Sequence, residues 1–455
     1  MKIIIVGCGK VGATLAVQLC RDGHDVTVLD RNPLAIRSVS SVYDVLGMEG
    51  DGSSYSTLKD AGIESADLLI AVTDSDEKNL LCCLIGQKAG NVKTVARIRD
   101  PIYNSEISFF QKNFGLSMVI NPELSAAQEM GRIFRFPSAI SIDTFSKGRV
   151  ELLTFVLSKT SVLVGKPLTY IHSKLKSDVL VAVVRRGNTV TIPSGNFVLE
   201  AEDTVSVIIG KGLANEFFKK IAVKANPIQN VMIGGGGRVG VYLAKRLIAE
   251  GIGVKIIERD HARCEELSEL LPRAQIIHGD AADEELLLEE GIQEVDGFAS
   301  MTDIDEQNIM MSLFAKQNSN VKAKLVTKIT HIGFDDVIES LDLGSIINPK
   351  DTTAAYILQF VRSMEASEGS NMENLYRLAG DEVEAMEFHI KEKCRATGVP
   401  LLKLNLKKNT LIGKIYRGGK LFTPTGQDTM EVGDHVILVT LAKNKFQDLD
   451  DILEA

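Results

Sequence analysis

The sequence predicts an α/β fold made by tandem duplication, in which a doubly wound lobe and a small α+β module each occur twice, in the order large, small, large, small. Three observations predict it. The chain repeats itself at offsets of 228 to 231 residues over most of its 455 positions. Each half opens with short β-branched runs alternating with amphipathic helical stretches. Partway through each half the period shortens to alternating strands punctuated by Arg-Gly and Pro-Ser-Gly turns.

The repeat is direct. IIIVGCGKVG at Ile3 lies over NVMIGGGGRVG at Asn230 so that Gly12 meets Gly240, and the same offset of 228 puts Asp30 on Glu258. One inserted residue later, GDGSS at Gly50 meets GDAAD at Gly279 and TDSDEKN at Thr73 meets TDIDEQN at Thr302. Late in each half, VRRGNTVTIPSG at Val184 matches IYRGGKLFTPTG at Ile415.

In chain order, IIIVG, DVTVLD, DLLIAVT and TVARI read as strands of a parallel sheet buried on both faces, with helical stretches such as VGATLAVQLCRDG between them. This gives a first Rossmann-like lobe over 1–136. VELLTFVL, VLVAVVRRG, TVTIPSG and DTVSVIIG then give a small module over 137–225. Ala222–Gln229 reads as a linker, 228–362 as the second lobe, Ala366–Asn371 as a loop and 372–455 as the second module.

Composition narrows the function classes. With 45% apolar and 24% charged residues the chain is globular, and 51 basic against 60 acidic side chains give a net charge of -9 that disfavours nucleic acid and bare membrane. No run approaches the ~20 apolar residues of a spanning helix, and MKIIIVGCG meets glycine too early for a signal segment, so a cytosolic location is expected. The six cysteines form no CxxC pair, and His261 with Cys264 has no second pair to complete four ligands, so no metal site is expected.

The chemistry is expected at the glycine loops. Gly7-Cys8-Gly9-Lys10-Val11-Gly12 follows a strand and opens a helix, as a dinucleotide fingerprint requires. Its first glycine makes the turn, the second admits a pyrophosphate to the helix N-terminus, and the third lets helix and strand pack. Asp30, closing the second strand, can accept from a ribose diol and repels a 2′-phosphate. Gly235-Gly236-Gly237-Arg238-Val239-Gly240 with Glu258 repeats the arrangement with altered partners, which points to a different ligand or occupancy. Lys10 and Arg238 are expected beside the phosphate cradle, as phosphate-neutralising cations or as solvated loop residues. Thr73-Asp74 and Thr302-Asp303 fall at the carboxyl end of the sheet, where open α/β sheets bind ligands, and also suit a helix cap. Arg97, matched by Lys328 only after a two-residue slip, faces the same crevice. Asp51 and Asp280 sit at the rim of the third strand, within reach of an adenine or ribose edge.

Evidence for catalysis is thin. Tyr170 and Lys174 form a YxxxK pattern, but it falls in the small module and has no counterpart in the second half.

Taken together, GxGxVG, the terminal acid, GDGSS, TDSDEKN and ARI, each set followed by a Gly-Lys-Pro-Leu or Gly-Val-Pro-Leu module, resemble the RCK (regulator of potassium conductance) family over essentially the whole chain. The two-copy form is similar to the peripheral cytosolic subunits of Trk-type potassium uptake systems. The resemblance implies RCK-N and RCK-C subdomains in each half and a tetrameric ring on the inner face of the membrane beneath a potassium translocating subunit. It also implies regulation by NAD(H) and by ATP or ADP. The nucleotide contacts it implies fall on Gly7 to Val11, Asp30, Asp51, Thr73, Asp74 and Arg97, and on Gly235 to Val239, Glu258, Asp280, Thr302, Asp303 and Lys328. A regulator is expected, with an NAD-dependent oxidoreductase as the competing reading. Duplicating a nucleotide lobe without adding an acid or base suits a module that reports ligand state. A nucleotide-sensing transcription factor would need a basic recognition helix that the sequence lacks.

Overall fold

The computed structural model describes every residue except 91, 101–102, 104–105, 136–138, 146–148, 222–227, 320–322, 332–337, 339–340, 342, 368–370, 379–381, 445, 447 and 455. Most of the expected linker, the centre of the loop Ala366–Asn371 and the boundary at 136/137 therefore lie outside the described residues.

The first lobe runs β1 (Lys2–Val6), α1 (Lys10–Arg21), β2 (Asp25–Asp30), α2 (Pro33–Ser40), β3 (Leu46–Glu49), α3 (Tyr55–Asp60), β4 (Leu68–Ala71), α4 (Asp76–Gly90), β5 (Lys93–Arg97), α5 (Ile107–Phe114), β6 (Met118–Ile120) and α6 (Pro122–Arg135). Its six strands are parallel in the order β3-β2-β1-β4-β5-β6. The strand order reverses beside β1, and the crevice at the carboxyl ends there is where a doubly wound sheet receives ligands.

The first small module contributes β7 (Ala139–Phe145), β8 (Val150–Val156), α7 (Thr169–Ser173), β9 (Val179–Arg186), β10 (Thr189–Thr191), β11 (Thr204–Gly210) and α8 (Ala214–Lys220). The second lobe follows as β12 (Asn230–Gly234), α9 (Arg238–Ala249), β13 (Gly253–Glu258), α10 (His261–Leu270), β14 (Gln275–His278), α11 (Glu284–Glu289), β15 (Gly297–Ser300), α12 (Asp305–Asn318), β16 (Lys324–Lys328), β17 (Ser345–Ile347) and α13 (Pro349–Ser367), with the same parallel order. The second module closes the chain with β18 (Met372–Leu378), β19 (Val383–His389), β20 (Thr410–Arg417), β21 (Lys420–Phe422) and β22 (His435–Leu441).

In space the four segments form two compact units. Residues 1–135 join 228–358, and residues 136–227 join 359–455. The first union is explained by α6, whose Ala126, Ala127, Met130 and Phe134 pack among Val231, Val241, Leu243 and Leu247 of the second lobe. Gly297 leaves room for the Phe134 ring, since a Cβ there would stand 2.7 Å from it. Burying the Met130 and Phe134 side chains is worth about 1.5–3 kcal/mol each.

The second union joins two five-stranded antiparallel sheets of equivalent topology. Val150, Leu152, Val183 and Ile208 of one face Val383, Ala385, Ile437 and Val439 of the other. In both modules an arginine grips a buried aspartate through two parallel hydrogen bonds, Arg186 to Asp203 at 2.8 and 2.8 Å and Arg417 to Asp434 at 2.7 and 2.7 Å. The matched Arg-Gly turns of the sequence thus carry a repeated structural clamp.

Candidate nucleotide clefts

Two of the three glycines of the first loop are required by sterics. Gly7 has φ of +101°, and a Cβ there would meet Thr73 N at 2.9 Å. A Cβ on Gly12 would stand 1.9 Å from Gly7 O, whereas Gly9 faces open space. Gly9 also caps α1 with no side-chain hydrogen bond, so its neighbourhood is the one point of the loop both roomy and donor-rich. Val11 and Cys8 are buried, and Cys8 Sγ donates to Ala35 O. Their side chains are thus turned into the protein and away from the open side of the loop.

Asp30 stands across this turn. Its Oδ2 accepts from Cys8 N at 2.6 Å and its Oδ1 from Asn32 N at 2.8 Å. A carboxylate has about four acceptor positions, so these bonds fix its orientation and leave capacity for a diol. In the second lobe Glu258 takes the same pair of bonds, from Gly236 N at 2.8 Å and Asp260 N at 2.9 Å.

The first cleft has a volume of about 540 Å³, and Gly7, Gly9, Asp30, Asp51, Thr73, Asp74 and Arg97 line it. Arg97 donates to Thr73 O across the floor, while burial, and then the charge of Arg99, lower its pKa. Asp51 is paired with Arg31 and accepts from Ser53 N and Oγ. Burial works to raise its pKa, but the bonds from Arg31 and Ser53 prevail and hold it at about 2.

The second cleft is smaller, about 300 Å³, and is lined by Gly235, Gly237, Glu258, Asp280, Thr302 and Asp303. Lys328 is buried and its Nζ pairs with Asp303 at 3.0 Å. Strand pairing makes Arg97 and Lys328 equivalent, because Ala71 faces Ala96 in one sheet and Ser300 faces Thr327 in the other. Val239 and Gly240 are buried beneath the loop, and a Cβ on Gly240 would approach Gly235 O at 2.5 Å.

Lys10 opens α1 beside the loop. Its Nζ reaches Thr330 O of the second lobe at 3.1 Å, so it ties the two lobes together. Arg238 is exposed on the first turn of α9.

Several residues of the clefts escaped the sequence reading. Asn79 is fully buried, and its Oδ1 accepts from Thr73 N and Thr73 Oγ1 while its Nδ2 donates to Arg97 O at 2.8 Å. Asn308 repeats this set on Thr302 and Lys328. Asp76 receives Arg99 N and Asp100 N, as Asp305 receives Thr330 N and His331 N. The recurrence of Asp and Asn in TDSDEKN and TDIDEQN was the available signal, and it encodes a clamp between the ends of neighbouring strands. Thr73 is engaged by Asn79, and Ser75 Oγ, accepting from Lys78 N, does the capping. Arg31, Asn32 and Lys78 of the first cleft, and Arg263 of the second, were also unforeseen.

Cys82 lines the first cleft, and Cys8 lies buried within the glycine loop. Burial, reinforced by Asp30, pushes Cys8 up to about 11, and burial with Asp51 pushes Cys82 to about 12. Both are protonated and weakly nucleophilic at neutral pH. Tyr170 packs against the hydrophobic core of the first small module.

Residues 3–122 and 231–349 match the TrkA-N domain family, and residues 152–222 match the TrkA-C domain. The Trk system potassium uptake protein TrkA of Halomonas elongata is 32% identical over 457 residues, covering 100% of this chain and 99% of that protein. Among solved structures, the GsuK RCK domain is alike in fold, with a TM-score of 0.63, 16% identity and coverage of 97% of this chain and 92% of that one. The GsuK channel bound to NAD gives a TM-score of 0.64 at 16% identity, covering 97% and 77%.

Proposed function

The chain belongs to the TrkA family of Trk-system potassium uptake proteins, and we propose that it serves as a nucleotide-binding regulatory subunit gating potassium flux through a membrane-embedded Trk-type translocating subunit. The observation that carries this reading is the first cleft, where an oriented carboxylate at Asp30 faces the open turn at Gly9. That pairing offers one group for a ribose diol and another for a pyrophosphate. NAD(H) is the ligand proposed for it, with ATP or ADP as competitors for the same frame. A shared fold with a channel whose structure holds NAD supports the choice of dinucleotide.

The residues proposed as ligand contacts are Gly7 to Val11 through their backbone, with Asp30, Asp51, Thr73, Asp74 and Arg97, and the corresponding set of the second lobe. Regulation, not catalysis, is proposed because the thiols of Cys8 and Cys82 are held protonated and Tyr170 is engaged in the core of its module. Among the described residues no helix is long and apolar enough to cross a membrane; the membrane partner is proposed from the Trk system to which the relatives belong. A tetrameric ring on the cytoplasmic face is the proposed assembly. For nucleotide to switch such a ring it must bind one shape more tightly than the other, typically by about 1–3 kcal/mol.

The test is potassium flux through the subunit reconstituted with its membrane partner, read against NADH, ATP and ADP. Asp30→Ala is expected to weaken NADH binding by about 1–3 kcal/mol and to move the nucleotide response to correspondingly higher concentration. Steady consumption of NADH, or a response that ignores Asp30→Ala, contradicts the reading.

A further inference from the structure

Apart from both glycine loops, the second small module brings two carboxylates and two imidazoles to one point. His389 at the end of β19 pairs in register with His435 at the start of β22, and their rings stack 4.3 Å apart at 3°. Glu387, two residues before His389, shares its side of the strand and is 1% exposed. The fourth residue arrives through a fault in the sheet. The pairing of β18 with β19 shifts between Met372 and Asn374, leaving Glu373 as the extra residue of a bulge, a device that re-aims a side chain.

The resulting distances are those of a ligand shell. Glu373 Oε2 lies 3.1 Å and Glu387 Oε1 3.5 Å from His435 Nδ1. One donor atom from each of these three residues falls within 4.8 Å of the others. Two donors on one ion at about 2.0–2.2 Å stand roughly 3–3.5 Å apart, which is the spacing of His435 Nδ1 from each of the two carboxylates. His435 Nδ1 is shielded from solvent and makes no well-aligned hydrogen bond among the described residues, although two carboxylate oxygens face it. Asn374 Nδ2 donates to Glu387 Oε2 at 2.7 Å, the outer support that orients a ligating carboxylate. His389 Nδ1 is 3.4 Å from Glu373 Oε1, placing a second imidazole alongside.

We propose that Glu373, Glu387 and His435, with His389 beside them, form a binding site for a divalent transition-metal ion of the zinc class. Two carboxylates converging on a poorly solvated point call for a compensating charge, and a dication supplies it. Imidazole nitrogen among the donors favours zinc, cobalt or nickel over calcium or magnesium. The site belongs to the second module alone. Strand register places Thr154, Val156 and Thr204 of the first module where Glu387, His389 and His435 stand in the second, and Ile140 occupies the bulge position of Glu373. The ion would cross-link β18, β19 and β22 on the side of β19 and β22 whose Val383, Ala385 and Ile437 pack against the first module. Nothing in this proposal depends on what the glycine loops bind.

The test is titration of the chelator-treated full chain with Co²⁺, followed by its visible absorption and by displacement with Zn²⁺. One equivalent should bind with the bands of nitrogen and oxygen ligation and without the charge-transfer band of a cysteine thiolate. Glu373→Gln, at a partly exposed bulge, and His435→Gln should each weaken binding roughly tenfold or more. The metal-free variants are checked by circular dichroism for an unchanged fold, and Glu373→Gln decides the matter if His435→Gln unfolds. Absence of Co²⁺ binding, a thiolate band, or undiminished affinity in Glu373→Gln overturns the proposal.

Discussion

The two clefts keep one backbone frame and differ in the charges hung on it. In both, a positive-φ glycine opens the loop, a carboxylate closing the second strand takes two amide hydrogen bonds, and a buried asparagine clamps the ends of two adjacent strands. Around that frame the side chains diverge. Lys78 lines the first cleft where Gln307 lines the second, and Arg97 is replaced by a Lys328 that Asp303 already neutralises. Ala35 is replaced by Arg263, whose Nε donates to Gly236 O and lays a guanidinium across the loop. The volumes follow, about 540 Å³ against about 300 Å³. On the proposed reading, duplication preserved the carboxylate and loop offered to a ribose and freed the cations offered to phosphate to change. The first cleft is the primary nucleotide site on this account, and the second a weaker or differently selective one.

The frame can be broken most severely at its third glycine. Gly12→Ala drives a Cβ to 1.9 Å from Gly7 O, and Gly240→Ala only to 2.5 Å from Gly235 O. Denaturant melts should show a loss of about 3 kcal/mol for the first and clearly less for the second. Equal losses would mean that the two turns are not held with different tightness. A smaller effect is expected from exchanging cations. Lys78→Gln, which gives the first cleft the second's residue, should cost ATP about 1 kcal/mol of binding, roughly fivefold, and NADH less, because ATP carries the greater phosphate charge. Competition binding on the full chain measures this.

The smallest effect concerns acid stability. The Arg31–Asp51 pair belongs to the first lobe, and among the described residues no ion pair joins Arg259 to Asp280. With its pKa held at about 2, Asp51 adds stability that is fully present above the ordinary aspartate range near pH 4. That contribution is lost as pH falls from about 4 to about 2, and since Arg31 is 60% exposed it is a small one. Asp51→Asn should flatten the fall of melting temperature across that window slightly, and an unchanged slope would remove the pair from the account.

Much of the architecture was legible because its signals are local. β-Branched runs, glycine turns and strand-closing acids each sit within a few residues, and the repeat displayed them twice. Asn79 and Asp76 were present in the repeated TDSDEKN, but their role depends on a neighbouring strand some twenty residues away. The contact that Lys10 makes was hidden for a related reason. Its partner, Thr330, lies on the other lobe, and the sequence does not announce that the two lobes pack together through α6. The Glu373, Glu387, His389 and His435 cluster is further still from a linear motif, since it arises from one strand register and one bulge.

The central claim, one primary and one altered nucleotide site on a common frame, is tested most directly by calorimetric titration of NADH into the full chain, Asp30→Ala and Glu258→Ala. The account predicts a tight class of sites that Asp30→Ala weakens by roughly 10- to 100-fold and Glu258→Ala leaves unchanged, with any second class weaker and dependent on Glu258. Two classes of equal affinity, or a tight class lost on Glu258→Ala and retained on Asp30→Ala, would contradict it.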